Sequence, residues 1–261
     1  MIIECIPEYT NADAWAELAF KYGLSFEYNE FFNPEVLDSR EKTDEIISIY
    51  KGLERDTSND TLHGAFLDIT VASSDPLIKK ASDYRVCQSL DIASRLGVRG
   101  VVFHTNYLTD FKSNAYRNNW VEKNTEYWTQ ICSKYDHLDI YMENMFDDTP
   151  ELLLSLANRM KETANFGVCL DLAHAFLSKL PVTNWVSVLS PHIRHIHIND
   201  NDKEQDLHLP VGSGKMDWSI LFSPDLIASS PSMLIEVTGQ EKLEKSYAYM
   251  KTLGFQFKEG A

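Results

Sequence analysis

The chain has 261 residues, 44% of them apolar, which is enough for a sizeable core and fits either two domains or one α/β barrel. Its 24 basic and 39 acidic residues leave a formal charge of −15, which argues against a nucleic-acid backbone or an anionic membrane surface as partner. No apolar run of about 18 residues is present to span a membrane, the acidic start Met1-Ile2-Ile3-Glu4-Cys5 does not read as a signal peptide, and cysteines at 5, 87, 132 and 169 show no CxxC spacing, so a soluble protein of a reducing, cytoplasmic compartment is expected.

Short apolar runs alternate with longer amphipathic ones along the whole chain. Strands are expected near 2–6, 24–28, 61–67, 100–104, 138–143, 166–171, 193–198 and 232–237. Between them lie helical patterns such as Trp15, Leu18, Ala19 and Tyr22, or Leu153, Leu156, Ala157 and Met160, each on one face. Leu243, Tyr247 and Met250 mark the last helix. Asp75-Pro76 and Thr149-Pro150-Glu151 each place a capping side chain before a proline at the first helical position. Gly23, Gly97 and Gly254 fall where left-handed C-caps are wanted. Eight strand–helix units predict an α/β fold, a (β/α)8 TIM barrel, as a single domain over 1–261. The weakest unit is the seventh helix, around 217–228, which Pro224 interrupts. A doubly wound sheet would want a glycine-rich loop after the first strand, where the chain reads Ile6-Pro7-Glu8-Tyr9.

Strands of a parallel barrel are covered by helices outside, so their polar residues point inward, and those at C-terminal ends line the face where such barrels do chemistry. His63, His104, Glu143, Asp171, His197 and Glu236 all fall at or near such ends. In Ile193-Arg194-His195-Ile196-His197-Ile198 the two isoleucines at 196 and 198 share one face and the two histidines the other. Three carboxylates converging within about 4 Å repel by roughly 4 kcal/mol per pair at an effective dielectric near 20. That is hard to sustain in a domain stable by about 5–15 kcal/mol without a cation or shared protons. A divalent metal among carboxylates and imidazoles removes the repulsion.

Gly167-Val168-Cys169-Leu170-Asp171-Leu172-Ala173-His174-Ala175-Phe176 resembles the sixth-strand signature of xylose isomerase-like barrels, which include sugar-phosphate isomerases and epimerases and the endonuclease IV enzymes. His197-Ile198-Asn199-Asp200 resembles their seventh-strand motif, and the segment from Asp206 to Gly214 the loop that follows. Glu143-Asn144 and Leu234-Ile235-Glu236 complete an ordered set running from His63 to Glu236. The isomerase and epimerase resemblance implies one divalent ion, manganese first and zinc, cobalt or magnesium as alternatives, held by Glu143, Asp171, His197 and Glu236. It implies proton transfer next to a sugar or sugar-phosphate carbonyl through a metal-stabilised enediolate, with Glu143 and Glu236 as catalytic acid and base. His174 would bind a substrate oxygen, and His63, His104 and His208 would line the pocket or orient ligands.

The endonuclease IV resemblance implies a different use of the same chain, as a zinc phosphodiesterase acting on abasic DNA. It implies three zinc ions on His63, His104, Glu143, Asp171, His174, His197, Asp206, His208 and Glu236. Acidic or neutral strand-to-helix loops, such as Glu30 to Glu35 and Asp200 to Glu204, argue against a DNA partner; Lys112, Arg117 and Lys123 are the nearest thing to a basic cluster. The ketose 3-epimerase pattern wants a further Glu and Arg where this chain has Thr149 and Lys203, so the specific sugar is open. A barrel that binds metal or sugar without turnover is the third reading. Barrels of this type often pair through outer helices, which makes a homodimer the oligomer to test for.

Other residues read as structural. Gly212-Ser213-Gly214-Lys215 is a turn entering a helix capped near Asp217, without P-loop spacing. His195 belongs one layer below the metal, His137 and His192 precede strands at the opposite face, and Cys169 is a small core residue. Tyr107, Phe146 and Trp218 lie just beyond strand ends or in the seventh loop, where stacking on a sugar and simple burial explain them equally well.

Overall fold

A computed structural model of the chain describes residues 1–257. Eight parallel strands close into a barrel in sequence order: β1 Ile3–Cys5, β2 Ser25–Tyr28, β3 Thr61–His63, β4 Gly100–His104, β5 Asp139–Glu143, β6 Phe166–Asp171, β7 Ile193–Ile198 and β8 Ser232–Ile235. Each of the eight expected strands is present. Around them run α1 Ala12–Tyr22, α2 Pro34–Leu37, α3 Arg40–Gly52, α4 Pro76–Leu96, α5 Asn114–Lys134, α6 Glu151–Arg159, α7 Leu172–Leu177, α8 Val182–Leu189, α9 Pro224–Ser229 and α10 Gln240–Thr252. Among the described residues, no helix is long and apolar enough to cross a membrane.

Local chemistry sets the helix ends. Asp75 accepts from the amides of Leu77 and Ile78 and Pro76 opens α4, a cap worth about 1 kcal/mol. Gly23 closes α1 at φ 65°, where a side chain on Cβ would clash. Thr149 does not cap α6: Pro150 occupies the N-cap position and no side-chain cap bond forms there. The seventh helix is split, a 3-10 turn over Trp218–Phe222 capped by Asp217 and then α9, which Pro224 begins and does not interrupt, since its ring fits the first helical position. The third strand ends at His63, short of Leu67, and Glu236 lies one residue past β8.

The main core lies between barrel and helices, where Trp15, Trp128 and Trp185 are buried. Inside the barrel Val102, Tyr141 and Cys169 form a smaller apolar cluster, so Cys169 is the core residue its phase predicts. His195 is fully buried there, bonded to Ser232 at 2.6 Å through Nδ1 and to Glu27 at 3.2 Å through Nε2. One irregularity positions the site above. The β6–β7 register slips between Val168 and Cys169, setting Cys169 beside His195 and Asp171 beside His197. Without that slip Asp171 would pair with Ile196, whose side chain packs in the outer core.

Candidate metal centre

The C-terminal ends of the strands deliver the polar side chains to one place. His63 ends β3, His104 ends β4, Glu143 ends β5 and Asp171 ends β6, while His197 is one residue short of the end of β7. Glu143 is the hub. Its Oε1 lies 3.3 Å from His197 Nδ1 and 3.6 Å from His174 Nδ1; its Oε2 lies 3.2 Å from His104 Nε2 and 3.7 Å from His63 Nε2. Glu236 reaches the same imidazole from β8, with Oε2 at 3.7 Å from His197 Nδ1. Asp206 and His208 arrive on the loop after β7: Asp206 Oδ2 lies 3.4 Å from His174 Nε2 and 3.1 Å from His208 Nε2. All nine residues read from the sequence are therefore brought together.

Three of the imidazoles are anchored by backbone carbonyls. Nδ1 of His63 donates to Gly64 O at 3.0 Å, Nδ1 of His174 to Asn144 O at 2.9 Å, and Nδ1 of His208 to Glu236 O at 3.1 Å. A carbonyl only accepts, so each of these rings carries its proton on Nδ1 and turns Nε2 towards the cavity. Asn144 also fixes Asp171, and Asn199 Nδ2 donates to Glu236 Oε2 at 3.2 Å.

Electrostatics separates the carboxylates. Burial opposes ionisation of Glu143, yet the imidazoles of His197 and His104 hold it well below the usual carboxylate range. Burial pushes Glu236 up to about 7 against the pull of His197 and His208. His208 is raised to about 10 despite burial, chiefly by Asp206 and Glu236. Both oxygens of Glu143, Oδ2 of Asp171, Nδ1 of His104, both ring nitrogens of His197 and Oδ1 of Asp206 are buried with no hydrogen-bond partner among the described residues. Leaving so many polar atoms unpaired is costly, about 1–3 kcal/mol each, unless something else meets them. Glu143, Asp171 and His197 offer ligand atoms within 4.8 Å of one another, and so do His63, His104 and Glu143. Mixed oxygen and imidazole donors suit a divalent transition metal.

His63, His104, His174, Asp206, His208 and Glu236 line a cavity of about 370 Å³. Ile6, Phe32, Phe66, Leu67, Met145 and Phe146 add an apolar wall, and among the described residues no lysine or arginine lines it. Of the three aromatics singled out in the sequence, only Phe146 reaches it, its ring 5.0 Å from that of His174. Tyr107 instead stacks on Tyr116 over a separate depression beside Lys112 and Arg117, and Trp218 is buried, donating its indole N–H to Asp200. Phe32, Phe66, Leu67 and Met145 carry no sequence signal that separates a cavity rim from a core. Lys203 sits over the Phe176 ring at 5.1 Å, off this cavity. A larger groove of about 460 Å³ beside α4 is lined mostly by apolar residues with Asp68, Thr70, Ser82 and Arg85, and among the described residues it gathers no cluster of ligating side chains.

Several known proteins resemble this chain in sequence or in fold. A Mycobacterium leprae protein named "Probable endonuclease 4" is 24% identical over 204 residues, 73% of this chain and 77% of its own. A Thermus thermophilus protein soaked with zinc chloride superposes with a TM-score of 0.73 at 21% identity, over 97% of this chain and 98% of its own. A D-tagatose 3-epimerase-like protein does so with a TM-score of 0.73 at 19% identity, over 97% and 96%. Residues 16–250 match the family described as the xylose isomerase-like TIM barrel, and the chain belongs to that family.

Proposed function

We propose that this protein is a divalent-metal-dependent sugar isomerase or epimerase that moves a proton next to a carbonyl. The observation that carries the reading is the meeting of Glu143 and Glu236 on one His197 nitrogen, at 3.3 and 3.7 Å, with both Glu143 oxygens and Asp171 Oδ2 unpaired. Glu143, Asp171, His197 and Glu236 would hold the ion. When bound, it supplies a Lewis acid that stabilises negative charge developing on a sugar oxygen.

The chain's own residues account for the rest. Glu143 at the end of β5 and Glu236 just past β8, three strands apart around the barrel, would flank a substrate carbon, one removing a proton and the other returning one. His174, anchored through Nδ1 to Asn144 O, presents Nε2 for a substrate hydroxyl. The apolar wall of Phe32, Phe66 and Phe146 excludes water from the reacting carbon and offers C–H-rich sugar faces a surface to pack on. The lack of lysine and arginine among the described lining residues supports an uncharged sugar over a sugar phosphate, because phosphate recognition draws on those side chains.

A second reading, a zinc phosphodiesterase of the endonuclease IV kind, is favoured by the extra donor groups: His63 and His104 on Glu143, and Asp206 between His174 and His208. The likeness to the M. leprae protein points the same way. The absence of lysine and arginine from the described cavity lining, together with the charge of −15, favours the sugar reading over it.

Metal content per chain, measured by elemental analysis on protein purified without a histidine tag or chelator, separates the two. About one manganese, cobalt, magnesium or zinc, with exchange of a sugar C–H proton into deuterated water, supports the isomerase or epimerase. Near three zincs with cleavage of abasic DNA overturns it in favour of the phosphodiesterase. Bound metal with neither activity leaves a binding barrel.

A further inference from the structure

We infer that Glu27, a residue of β2 in the layer beneath the metal centre, is a positioning residue: it holds the proton on Nε2 of His197 and so commits Nδ1 to the ion. The inference rests on the metal reading of the site above it. Glu27 and His197 are both fully buried. Glu27 Oε1 lies 3.4 Å from His197 Nε2, and neither atom has a hydrogen-bond partner among the described residues. The opposite nitrogen of the same ring, Nδ1, faces Glu143 and Glu236. An imidazole that gives one nitrogen's lone pair to a cation must carry its proton on the other. Glu27 Oε1 is the acceptor in place for that proton.

The other oxygen keeps Glu27 where it is. Thr61 Oγ1 lies 2.7 Å from Oε2 and His195 Nε2 lies 3.2 Å from it, so the carboxylate is gripped from below and beside. This sets His197 apart from His63, His174 and His208, whose protonated nitrogens rest on backbone carbonyls. A carboxylate partner makes a ligating imidazole a stronger donor than a carbonyl partner does, and removing such a partner typically lowers metal affinity about 10–100-fold. The sequence gives a partial sign of it: Ser25 and Glu27 alternate with Phe26 and Tyr28, which pack in the outer core, so Glu27 faces the barrel interior.

The test is calorimetric titration of the full chain with Mn²⁺ and Zn²⁺, comparing wild type with Glu27→Gln and Thr61→Val. Glu27→Gln is expected to bind about 10–100-fold more weakly, and Thr61→Val, which loosens Glu27 without touching His197, to show a smaller loss. A role confined to packing would lower the melting temperature of the metal-free variants and leave affinity unchanged, and that result overturns the inference. Because Glu27→Gln can fail to fold, long-range ¹H–¹⁵N spectra of the zinc-loaded wild type give a second readout. A His197 proton on Nε2 with zinc on Nδ1 is expected; the reverse tautomer overturns the inference. Wild type that binds neither ion overturns the metal reading and this inference together, whereas tight wild-type binding matched by Glu27→Gln overturns the inference alone.

Discussion

Asn144 and Asp171 clasp each other across the ends of β5 and β6: the Asp171 amide donates to Asn144 Oδ1 at 2.9 Å, and Asn144 Nδ2 donates to the Asp171 carbonyl at 3.0 Å. The Asn144 carbonyl also accepts from His174 Nδ1 at 2.9 Å. One residue after Glu143 therefore sets the height of Asp171 and the rotation of His174. Asn144→Ala strips the two side-chain bonds in a fully buried spot, at an expected cost of about 2–4 kcal/mol. Urea unfolding should show that loss, and metal affinity should fall with it. Unchanged affinity in the variant would mean that Asp171 keeps its place without the clasp.

Glu236 is the carboxylate whose neutralisation should separate chemistry from folding. It lies just past β8, where Asn199 is the one hydrogen-bond donor to its carboxylate among the described residues. Glu236→Gln preserves shape and can still meet Asn199 through its oxygen, so far-ultraviolet circular dichroism should be unchanged. Loss of a positioned acid or base costs about 10²–10⁴-fold, and solvent-proton exchange at the sugar carbon should drop by that amount. Exchange at the wild-type rate would remove Glu236 from the proton transfer.

How far the sequence reveals this site depends on the kind of residue. His104, Glu143 and Asp171 are legible because a strand of a parallel barrel has helices on its outer side, so an acid or histidine at its end has one place to go. The strand rhythm is legible for the same reason. Phe66 and Leu67 are not: they follow His63 in an apolar run that reads as more strand, whereas the strand stops and they turn out onto the cavity rim. The same ambiguity leaves Tyr107 and Trp218 open in the sequence between a sugar surface and burial, and the structure keeps both off the cavity. The β6–β7 slip is invisible in one dimension, because a register is a relation between two strands and neither carries a mark of it.

Asp147 gives a pH dependence removed from the metal ligands. It is buried in the connection after β5, where it accepts from Thr105 Oγ1 at 2.8 Å and the Met145 amide at 3.1 Å, and burial pushes its carboxyl up to about 6. Unfolded, an aspartate titrates near 3.9, so between about pH 4 and 6 the folded chain holds a proton the unfolded chain has lost. Stability contributed by Asp147 is then present at low pH and falls as pH rises through that window, by up to roughly 3 kcal/mol. Asp147→Asn cannot titrate. The stability difference, wild type minus variant, is expected to decline from pH 4 to 6 and level off above; a difference that rises with pH would contradict the burial argument.

Asp200 makes the loop that carries Asp206 and His208 behave as one piece. Its carboxylate accepts from the amides of Asn201, Gly212 and Met216 at 3.0, 2.9 and 3.2 Å and from the Trp218 indole at 2.9 Å, while its own backbone pairs twice with Leu209. Gly214 is pressed against it: a Cβ there would lie 2.3 Å from Asp200 Oδ1 and 2.4 Å from the Asn201 carbonyl. Asp200→Asn replaces an acceptor oxygen with an NH₂ that faces donors already in place, so repulsion replaces attraction and an expected cost of about 2–4 kcal/mol follows. Gly214→Ala should act on the same loop by steric means alone. Both variants should weaken the placement of Asp206 and His208 more than that of Glu143 and Asp171, which are held by strands. If the extra donors bind further ions, these two variants lose metal stoichiometry before they lose the ion on Glu143, Asp171 and His197; equal loss at all positions would show that the loop and the strand ends form a single cooperative site.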